Sequence, residues 1–203
     1  MDENTIKGLE VGSRLHDEWR KPRKLEDGKY EPRWKVTNDV TYELVPGKGR
    51  ISDDGSIEVD IANLSFEELP RDWQEENLQA GLAVVPIVGK KEELSDAEME
   101  ECTKKVHDEW CSRKERIITA YMNKLEQQGI DENEILKKKD EKFGWDISLM
   151  VSYDELSEEE KPKDRDQVIQ ALKLNKEISK GSIKIEDLSK KYEKQINELK
   201  EIS

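Results

Sequence analysis

The chain contains little apolar material, because only 33% of its 203 residues are hydrophobic while 41% are Asp, Glu, Lys or Arg. It has no run of about 18 apolar residues, which excludes a membrane-spanning helix of ordinary length. The acidic residues 1–4 are not followed by an apolar stretch, so no secretion signal is expected. Together these absences predict a soluble, cytoplasmic protein.

Cysteine is also scarce, with Cys102 and Cys111 as the two examples. Both fall within one predicted helix, where their separation in the sequence corresponds to roughly 13 Å along the axis, too far for a disulfide. No Cys-x-x-Cys pair is present, so a thiolate zinc site is not predicted. Acidic clusters such as residues 98–101 and 158–160 lack the spacing and the glycine of a calcium loop. We therefore expect neither a metal nor a cofactor.

The net charge of −13 means that the overall field repels polyanions, so nucleic acid is not expected as a partner. One basic run departs from this balance, at residues 20–24 followed by Arg33 and Lys35. It is either a local anion-binding patch or a solvated loop beside an acidic body. The composition approaches that of disordered chains, but mixed charges and five patterned tryptophans favour a helical fold with a thin core.

The sequence contains an internal duplication. The tetrapeptide His-Asp-Glu-Trp occurs at residues 16–19 and again at residues 107–110. Each copy is followed by a serine, an aromatic residue, two acidic residues and a leucine, beginning at Ser65 and at Ser152. From His to Ser the spacing is 49 residues in the first half and 45 in the second. Two landmarks in one order at nearly equal spacing indicate two copies of one module.

Apolar residues that recur in steps of three and four predict helices over most of the chain. The Ser-x-x-Glu patterns at residues 65–68 and 152–155 predict capped turns, and the one at 95–98 predicts the start of a long helix. The predicted helices cover residues 5–20, 73–85, 96–128, 163–179 and 183–203, the last with its apolar residues on one stripe.

The remaining segments are predicted to be irregular or short. Short strands are expected at Val36-Thr37 and at residues 40–45, and a hairpin between residues 49–51 and 56–59 closed by Asp54-Gly55. Residues 86–94 are predicted to link the modules. Residues 131–142 are predicted to be a short helix or a loop, with packed structure starting again at Phe143.

The second half resembles the ryanodine receptor repeat, or RyR domain. The motifs that carry the resemblance are the His-acidic-x-Trp motif at 107–110, Gly144-Trp145, the segment from Tyr153 to Leu156 with Lys161, and Asp164-Arg165. The first half keeps residues 16–19 and 66–69, has Trp34 where the Gly-Trp pair would be, and departs at Trp73-Gln74-Glu75. The stretch between the His motif and Gly144 is longer than in the family.

The resemblance implies a mostly α-helical chain of two tandem RyR-like modules related by a pseudo-twofold axis. The expected modules are residues 1–88 and 89–178, followed by a C-terminal amphipathic helix at 179–203. The resemblance also implies a free-standing protein of bacterial or phage type, without a pore of its own. Sensing or capture of nucleotides has been considered for this family, so a nucleotide-type small molecule is an expected ligand.

His16 and His107 are the first candidates for chemistry, because each has acidic neighbours and imidazole titrates near neutral pH. A general base needs a substrate-facing position and an orienting partner. Each histidine instead lies one helical turn from a tryptophan. Their repetition at equivalent positions favours a structural hydrogen bond to a loop in each module, over ligand contact and over catalysis.

The aromatic residues are candidates for ligand binding, because an indole face beside Arg or Lys suits a nucleobase and its phosphates. The alternative is that the tryptophans form the core. The predicted ligand-binding residues, drawn from both repeats around one ligand, are Trp34, Trp145, Trp19, Trp110, His16, His107, Arg113 and Arg165.

The sequence therefore predicts a binding module rather than an enzyme. The alternative function is a protein–protein interaction module, in which the acidic surface and residues 183–203 contact a partner or a second copy. A nucleotide hydrolase is a more distant third prediction.

Overall fold

The computed structural model describes residues 2–202, and the side chains up to Leu199. This part is mostly α-helical, as predicted, with one small antiparallel sheet. Its seven α-helices are α1 (Glu3–Arg20), α2 (Arg71–Val88), α3 (Asp96–Gln127), α4 (Glu132–Leu149), α5 (Lys161–Ser179), α6 (Ile185–Lys191) and α7 (Glu193–Ile202). Its three strands are β1 (Trp34–Thr37), β2 (Gly49–Ile51) and β3 (Ile57–Asp60).

The described chain divides into two compact units. Unit 1 consists of Met1–Leu94 together with Asp166–Ser203, and unit 2 consists of Ser95–Arg165. These units follow contacts in space, whereas the expected modules at residues 1–88 and 89–178 follow the sequence duplication. Residues 179–203, expected as a separate segment, belong to unit 1. The two modules and their pseudo-twofold relation stay a prediction.

The sheet of unit 1 has the strand order β1-β3-β2, and both neighbouring pairs are antiparallel. β2 and β3 form the predicted hairpin, and Gly55 in its turn has a φ of 83°, which glycine adopts without strain. The predicted strand at residues 40–45 is wrong. There the Asp39 carboxylate accepts hydrogen bonds from the amide and the hydroxyl of Thr41, which holds a turn instead.

The first turn of α2 holds the end of β1. The Asp72 carboxylate accepts hydrogen bonds from the Thr37 hydroxyl at 2.6 Å and from the Asn38 amide at 2.8 Å. The indole Nε1 of Trp73 donates to the carbonyl oxygen of Val36 at 3.0 Å. These contacts join the helix to the outer strand of the sheet.

α1 and α2 approach each other closely enough for their backbones to touch. Gly8 and Gly12 on α1 face Gly81 and its neighbours on α2. A Cβ added at Gly81 would overlap the carbonyl oxygen of Gly8, and one added at Gly12 would lie 2.8 Å from the carbonyl oxygen of Asn77. A side chain of any size at Gly81 would therefore force the two helices apart.

α2 extends further than predicted. It continues through Pro86 to Val88, so the expected linker at residues 86–94 begins only at Gly89, which has a φ of 63°. A proline this close to the end removes a single backbone hydrogen bond, and the Gly89 amide still donates to the Val85 carbonyl at 2.9 Å.

The core of unit 1 gathers around the pair α1 and α2. Residues from both helices, from β3 and from the segment around Ser65 are at most 1% exposed, so their burial stabilises this unit through the hydrophobic effect. Among them are Leu9, Val11, Val59, Leu64, Phe66 and Val84.

The C-terminal segment forms two helices, not the single amphipathic helix predicted for residues 183–203. Tyr192 separates α6 from α7 and is completely buried. Its hydroxyl donates to the Glu10 carboxylate at 2.7 Å, and its ring packs edge-on against Phe66. The predicted apolar stripe is turned into unit 1 at three positions: Leu188, Tyr192 and Ile196.

Unit 2 contains α3 and α4. The capping box that opens α3 is confirmed, since the Ser95 amide donates to the Glu98 carboxylate at 2.8 Å. The predicted interruption before Phe143 is wrong, because α4 is continuous. The Asp131 carboxylate caps its first amides, and i,i+4 ion pairs such as Lys138–Glu134 stabilise its polar first half.

Gly81→Ala is expected to lower the free energy of unfolding by about 3 kcal/mol or more, because the new methyl group overlaps backbone atoms of α1. Urea denaturation measures this loss. Gly144→Ala in α4 is the matched control, since no atom lies within 4 Å of its Cβ position. That control is expected to stabilise the protein by about 0.5–1 kcal/mol through helix propensity. Equal effects of the two changes would contradict the helix contact.

Candidate functional site

His16 is part of a buried hydrogen-bonded structure in unit 1. It lies on the last turns of α1, is 2% exposed, and its Nε2 is 2.9 Å from the carbonyl oxygen of Leu64. Its ring stacks on Trp19 at 5.7 Å between centroids, as the i,i+3 spacing on a helix allows. The imidazole therefore ties α1 to the segment just before Ser65.

His107 repeats this arrangement in unit 2. It is 2% exposed on α3, its Nε2 is 2.8 Å from the carbonyl oxygen of Val151, and its ring stacks on Trp110 at 5.8 Å. Val151 directly precedes Ser152, as Leu64 precedes Ser65. The predicted hydrogen bond from each histidine to a loop is thus present in both units.

The carbonyl in each unit leads into the same kind of turn. Phe66–Glu68 and Tyr153–Glu155 are single 3-10 turns, each opened by a capping box. In the first, the Ser65 amide donates to the Glu68 carboxylate at 2.8 Å, and the Ser152 amide donates to Glu155 at 3.1 Å. The duplicated sequence therefore builds the same local structure twice.

The protonation of His16 follows from its acceptor. A carbonyl oxygen can only accept, so Nε2 of His16 carries the proton that it donates to Leu64. The Arg20 guanidinium donates to the same oxygen at 3.0 Å. Burial lowers the pKa of His16, and the nearby Arg20 charge acts in the same direction. The imidazole is therefore held in its neutral form.

His107 differs because both of its ring nitrogens face acceptors. Nδ1 lies 3.0 Å from a carboxylate oxygen of Asp164, and Nε2 faces Val151. Burial raises the pKa of the Asp164 carboxyl. Each of these two hydrogen bonds needs one proton. The pair is therefore either an imidazolium with a carboxylate or a neutral imidazole, protonated on Nε2, with a carboxylic acid. In both states Nε2 of His107 is a donor.

Cys111 lies next to this pair, which gives a Cys-His-Asp order that sequence reasoning did not find. Its Sγ is 3.4 Å from Nε2 of His107. Nε2 already donates to the Val151 carbonyl and so cannot take the thiol proton. Burial, followed by the charges of Asp108 and Asp164, raises the pKa of the Cys111 thiol. The group has the order of a nucleophilic triad without an activated thiolate.

The tryptophans do not form the core, since none of the five, all of which the structure describes, is buried. Trp19 is 36% exposed, and the Arg23 guanidinium lies over its ring at 4.4 Å. Trp110 is half-buried, with the Lys114 ammonium 5.7 Å from its ring centre. Each His-Trp pair therefore has a cation four residues after the tryptophan.

The other predicted ligand-binding residues are placed separately. Trp34 on β1 lies under the Arg50 guanidinium at 4.2 Å, and Trp145 on α4 is 70% exposed. Arg113 is half-buried on α3, and Arg165 is exposed near the start of α5. Among the residues described in unit 1, Trp34 forms no ring contact with the pair His16–Trp19. Among those described in unit 2, Trp145 forms none with the pair His107–Trp110.

Comparison with known proteins adds no identity. No known family model matches the chain, and no similar protein was found among curated proteins or solved structures. In the part of the chain that the structure describes, no helix is long and apolar enough to cross a membrane. Within the same residues, no group of three or more His, Cys, Asp or Glu side chains is arranged to hold a metal ion.

The lowered pKa of His16 makes stability depend on pH. As the pH falls through the ordinary histidine value of about 6.5, the unfolded chain binds a proton that the folded His16 resists. The free energy of unfolding is therefore expected to decrease from pH 7 downward and to level off below the folded-state pKa. Denaturation of His16→Gln, which keeps an N–H donor but does not titrate, isolates this contribution. An equally steep pH profile for the variant would refute it.

His107→Ala is expected to lower the free energy of unfolding by about 2–5 kcal/mol, since the Val151 carbonyl and the Asp164 carboxyl both lose their imidazole partner. Cys111→Ala, one helical turn away, is expected to change it by no more than about 1 kcal/mol. Thermal or urea unfolding compares the two. The reverse order of effects would show that the thiol, and not the imidazole, holds this structure.

Proposed function

We propose that the protein is a non-catalytic binding module for a nucleotide-type ligand. The observation that carries the proposal is the repeated placement of a cation over an accessible indole. Arg23 lies 4.4 Å from the Trp19 ring centre and Arg50 lies 4.2 Å from that of Trp34, both in unit 1. A guanidinium held over an aromatic ring can stack its outer face on a nucleobase, and its N–H groups can contact a phosphate.

The charge of the surrounding segment supports an anionic ligand. Residues 19–35 contain seven Lys and Arg against three Asp and Glu, in a chain whose net charge is −13. Ions screen distant charges beyond about 8 Å at physiological salt, so the local excess outweighs the overall field for a bound anion. The basic run thus gives this part of unit 1 a preference for negative groups.

The state of the histidines supports binding over catalysis. His16 and His107 are both 2% exposed, and each donates from Nε2 to a main-chain carbonyl. A general base needs a free ring nitrogen within reach of a substrate proton. Both imidazoles are almost completely buried, so neither presents a ring nitrogen to a substrate, which agrees with a structural role.

A protein–protein interaction module is the second candidate function, favoured by Trp145. This side chain is 70% exposed on α4, and an exposed tryptophan is a frequent anchor of protein interfaces. The C-terminal segment contributes less to this candidate than expected, since its apolar residues Leu188, Tyr192 and Ile196 are buried in unit 1.

Titration with adenine and guanine nucleotides, including cyclic and ADP-ribose-type compounds, is expected to change tryptophan fluorescence at micromolar concentrations. The same ligands are expected to raise the melting temperature, because they bind the native state. The corresponding nucleosides, which lack phosphates, serve as the control and are expected to bind at least about tenfold more weakly.

A flat response to the whole panel would refute the ligand-binding proposal. Concentration-dependent self-association that Trp145→Ser abolishes would then favour the interaction module. Turnover of a nucleotide that is lost in the double variant His16→Asn, His107→Asn, with folding intact, would refute the non-catalytic assignment.

A further inference from the structure

We propose that Trp19, Arg23, Lys24 and Tyr30 form the ligand surface of unit 1, and that its ligand joins an aromatic ring to two phosphate charges, as a nucleoside diphosphate does. This inference rests on the proposed function and makes it specific, since it names the residues and the class of ligand. We call these four residues the arginine–aromatic surface.

The backbone that carries this surface is held in place by hydrogen bonds. Lys24 and Tyr30 form an antiparallel bridge, and the Glu31 amide donates to the Arg23 carbonyl at 2.8 Å. The Asn63 side chain accepts from the Tyr30 amide at 2.9 Å and donates to the Tyr30 carbonyl at 2.8 Å. The loop between α1 and β1 is therefore preorganised, which lowers the entropy lost on binding.

Arg23 is positioned by α1 itself. One of its guanidinium nitrogens donates to the Trp19 carbonyl at 2.6 Å, and the guanidinium lies over the Trp19 ring. A planar guanidinium held on an aromatic face keeps further N–H donors that can be directed at phosphate oxygens. The side chain is half-buried, so its orientation is restrained while it stays reachable.

Two cations of the surface have no acidic partner among the described side chains. Among the residues whose side chains the structure describes, Arg20 pairs with Asp17 and Lys21 pairs with Glu18, but no carboxylate lies within 4 Å of Arg23 or Lys24. Such pairs are common elsewhere in this highly charged chain. Two adjacent unpaired cations match a ligand with two negative charges better than one with a single charge.

The aromatic residues supply the second half of the recognition. Trp19 is 36% exposed, and the Tyr30 ring lies under the Arg20 guanidinium at 4.8 Å. Lys24 and Tyr30 are cross-strand neighbours, so a cation lies beside a ring there as well as at Arg23 and Trp19. A guanidinium lies over each of these rings, so a base can stack on the outer face of the Arg23 guanidinium while its phosphates reach Lys24 and the remaining N–H donors of Arg23.

The test is a fluorescence titration of the full chain with ADP, AMP and adenosine. The proposal predicts affinity in the order ADP, AMP, adenosine, and weaker ADP binding as salt rises. Arg23→Ala and Lys24→Ala are each expected to weaken ADP binding about tenfold. Arg23→Lys, which keeps the charge but not the planar donor group, is expected to fall between Arg23→Ala and the unaltered protein.

Arg116→Ala is the matched control, because Arg116 is exposed on α3 and forms no ion pair in the part of the chain that is described. It removes the same charge and is expected to leave ADP affinity within about twofold. Melting temperatures of all variants show whether any loss of binding comes from loss of folding.

The possible negative results separate the arginine–aromatic surface from the proposed function. ADP binding that Arg23→Ala and Lys24→Ala leave unchanged would overturn the arginine–aromatic surface while the proposed function stands. No binding of any nucleotide by the unaltered protein would overturn both. Much tighter binding of a short single-stranded oligonucleotide than of ADP would replace the small-molecule ligand by a nucleic acid.

Discussion

The backbone contact between α1 and α2 is the constraint on which unit 1 depends. Because Gly8, Gly12 and Gly81 carry no side chains, the two helices lie closer together than larger residues would allow. This leaves the other sides of α1 free to pack against the turn at Phe66 and against Tyr192. The end of α1 then holds His16, Trp19 and the residues that follow in fixed positions. The proposed ligand surface thus depends on a contact far from it along the helix.

The two copies of the His-Asp-Glu-Trp motif share one hydrogen bond and one turn but differ in the other contacts of the imidazole. Both copies contain the imidazole–carbonyl hydrogen bond and the capped 3-10 turn. The turn depends on neighbouring residues, and the hydrogen bond is one contact between a helix and the segment before that turn. The copies differ in what surrounds the imidazole. Counting from each histidine, Arg20 in the first copy corresponds to Cys111 in the second. His107 has the carboxyl partner Asp164, and no carboxyl partner of His16 is found among the described side chains.

The same comparison shows a difference between α1, whose Glu10 accepts a hydrogen bond from Tyr192, and α3. α1 presents the buried apolar residues Ile6 and Leu9 beside Glu10. The corresponding positions of α3, counted from the histidines, are Ala97 and Glu100, both exposed. A polar, solvated face offers an apolar helix nothing to bury. The two helices therefore differ in exposure at positions that correspond in the repeated motif.

Local signals allowed much of the fold to be predicted from the sequence. The capping box at Ser95, the hairpin at Gly55 and the bond from each histidine to a loop all depend on residues close together or on a repeated pattern. The pairing of His107 with Asp164 could not be predicted in this way, because 57 residues separate them and nothing local marks the pair. The break at Tyr192 was missed because it depends on Glu10, near the other end of the chain.

The candidate site was predicted only in part, for a physical reason. Residue types identified the aromatic and basic groups, but exposure and pairing decide which of them can meet a ligand. Trp19 and Trp110 end the two copies of one motif. Beside Trp19, however, Arg23 has no described carboxylate partner, and Asn63 hydrogen-bonds to the loop that follows Arg23. Such differences depend on tertiary contacts that periodicity does not report.

The indole of Trp73 has an effect that extends beyond a single molecule. β1 is an outer strand, and an outer strand with unpaired carbonyls can recruit a strand from another chain. Because Trp73 occupies the Val36 carbonyl, an incoming strand would find an acceptor already taken and a large ring in its path. One side chain that anchors a helix to the sheet thereby also makes one acceptor of the outer strand unavailable to another chain.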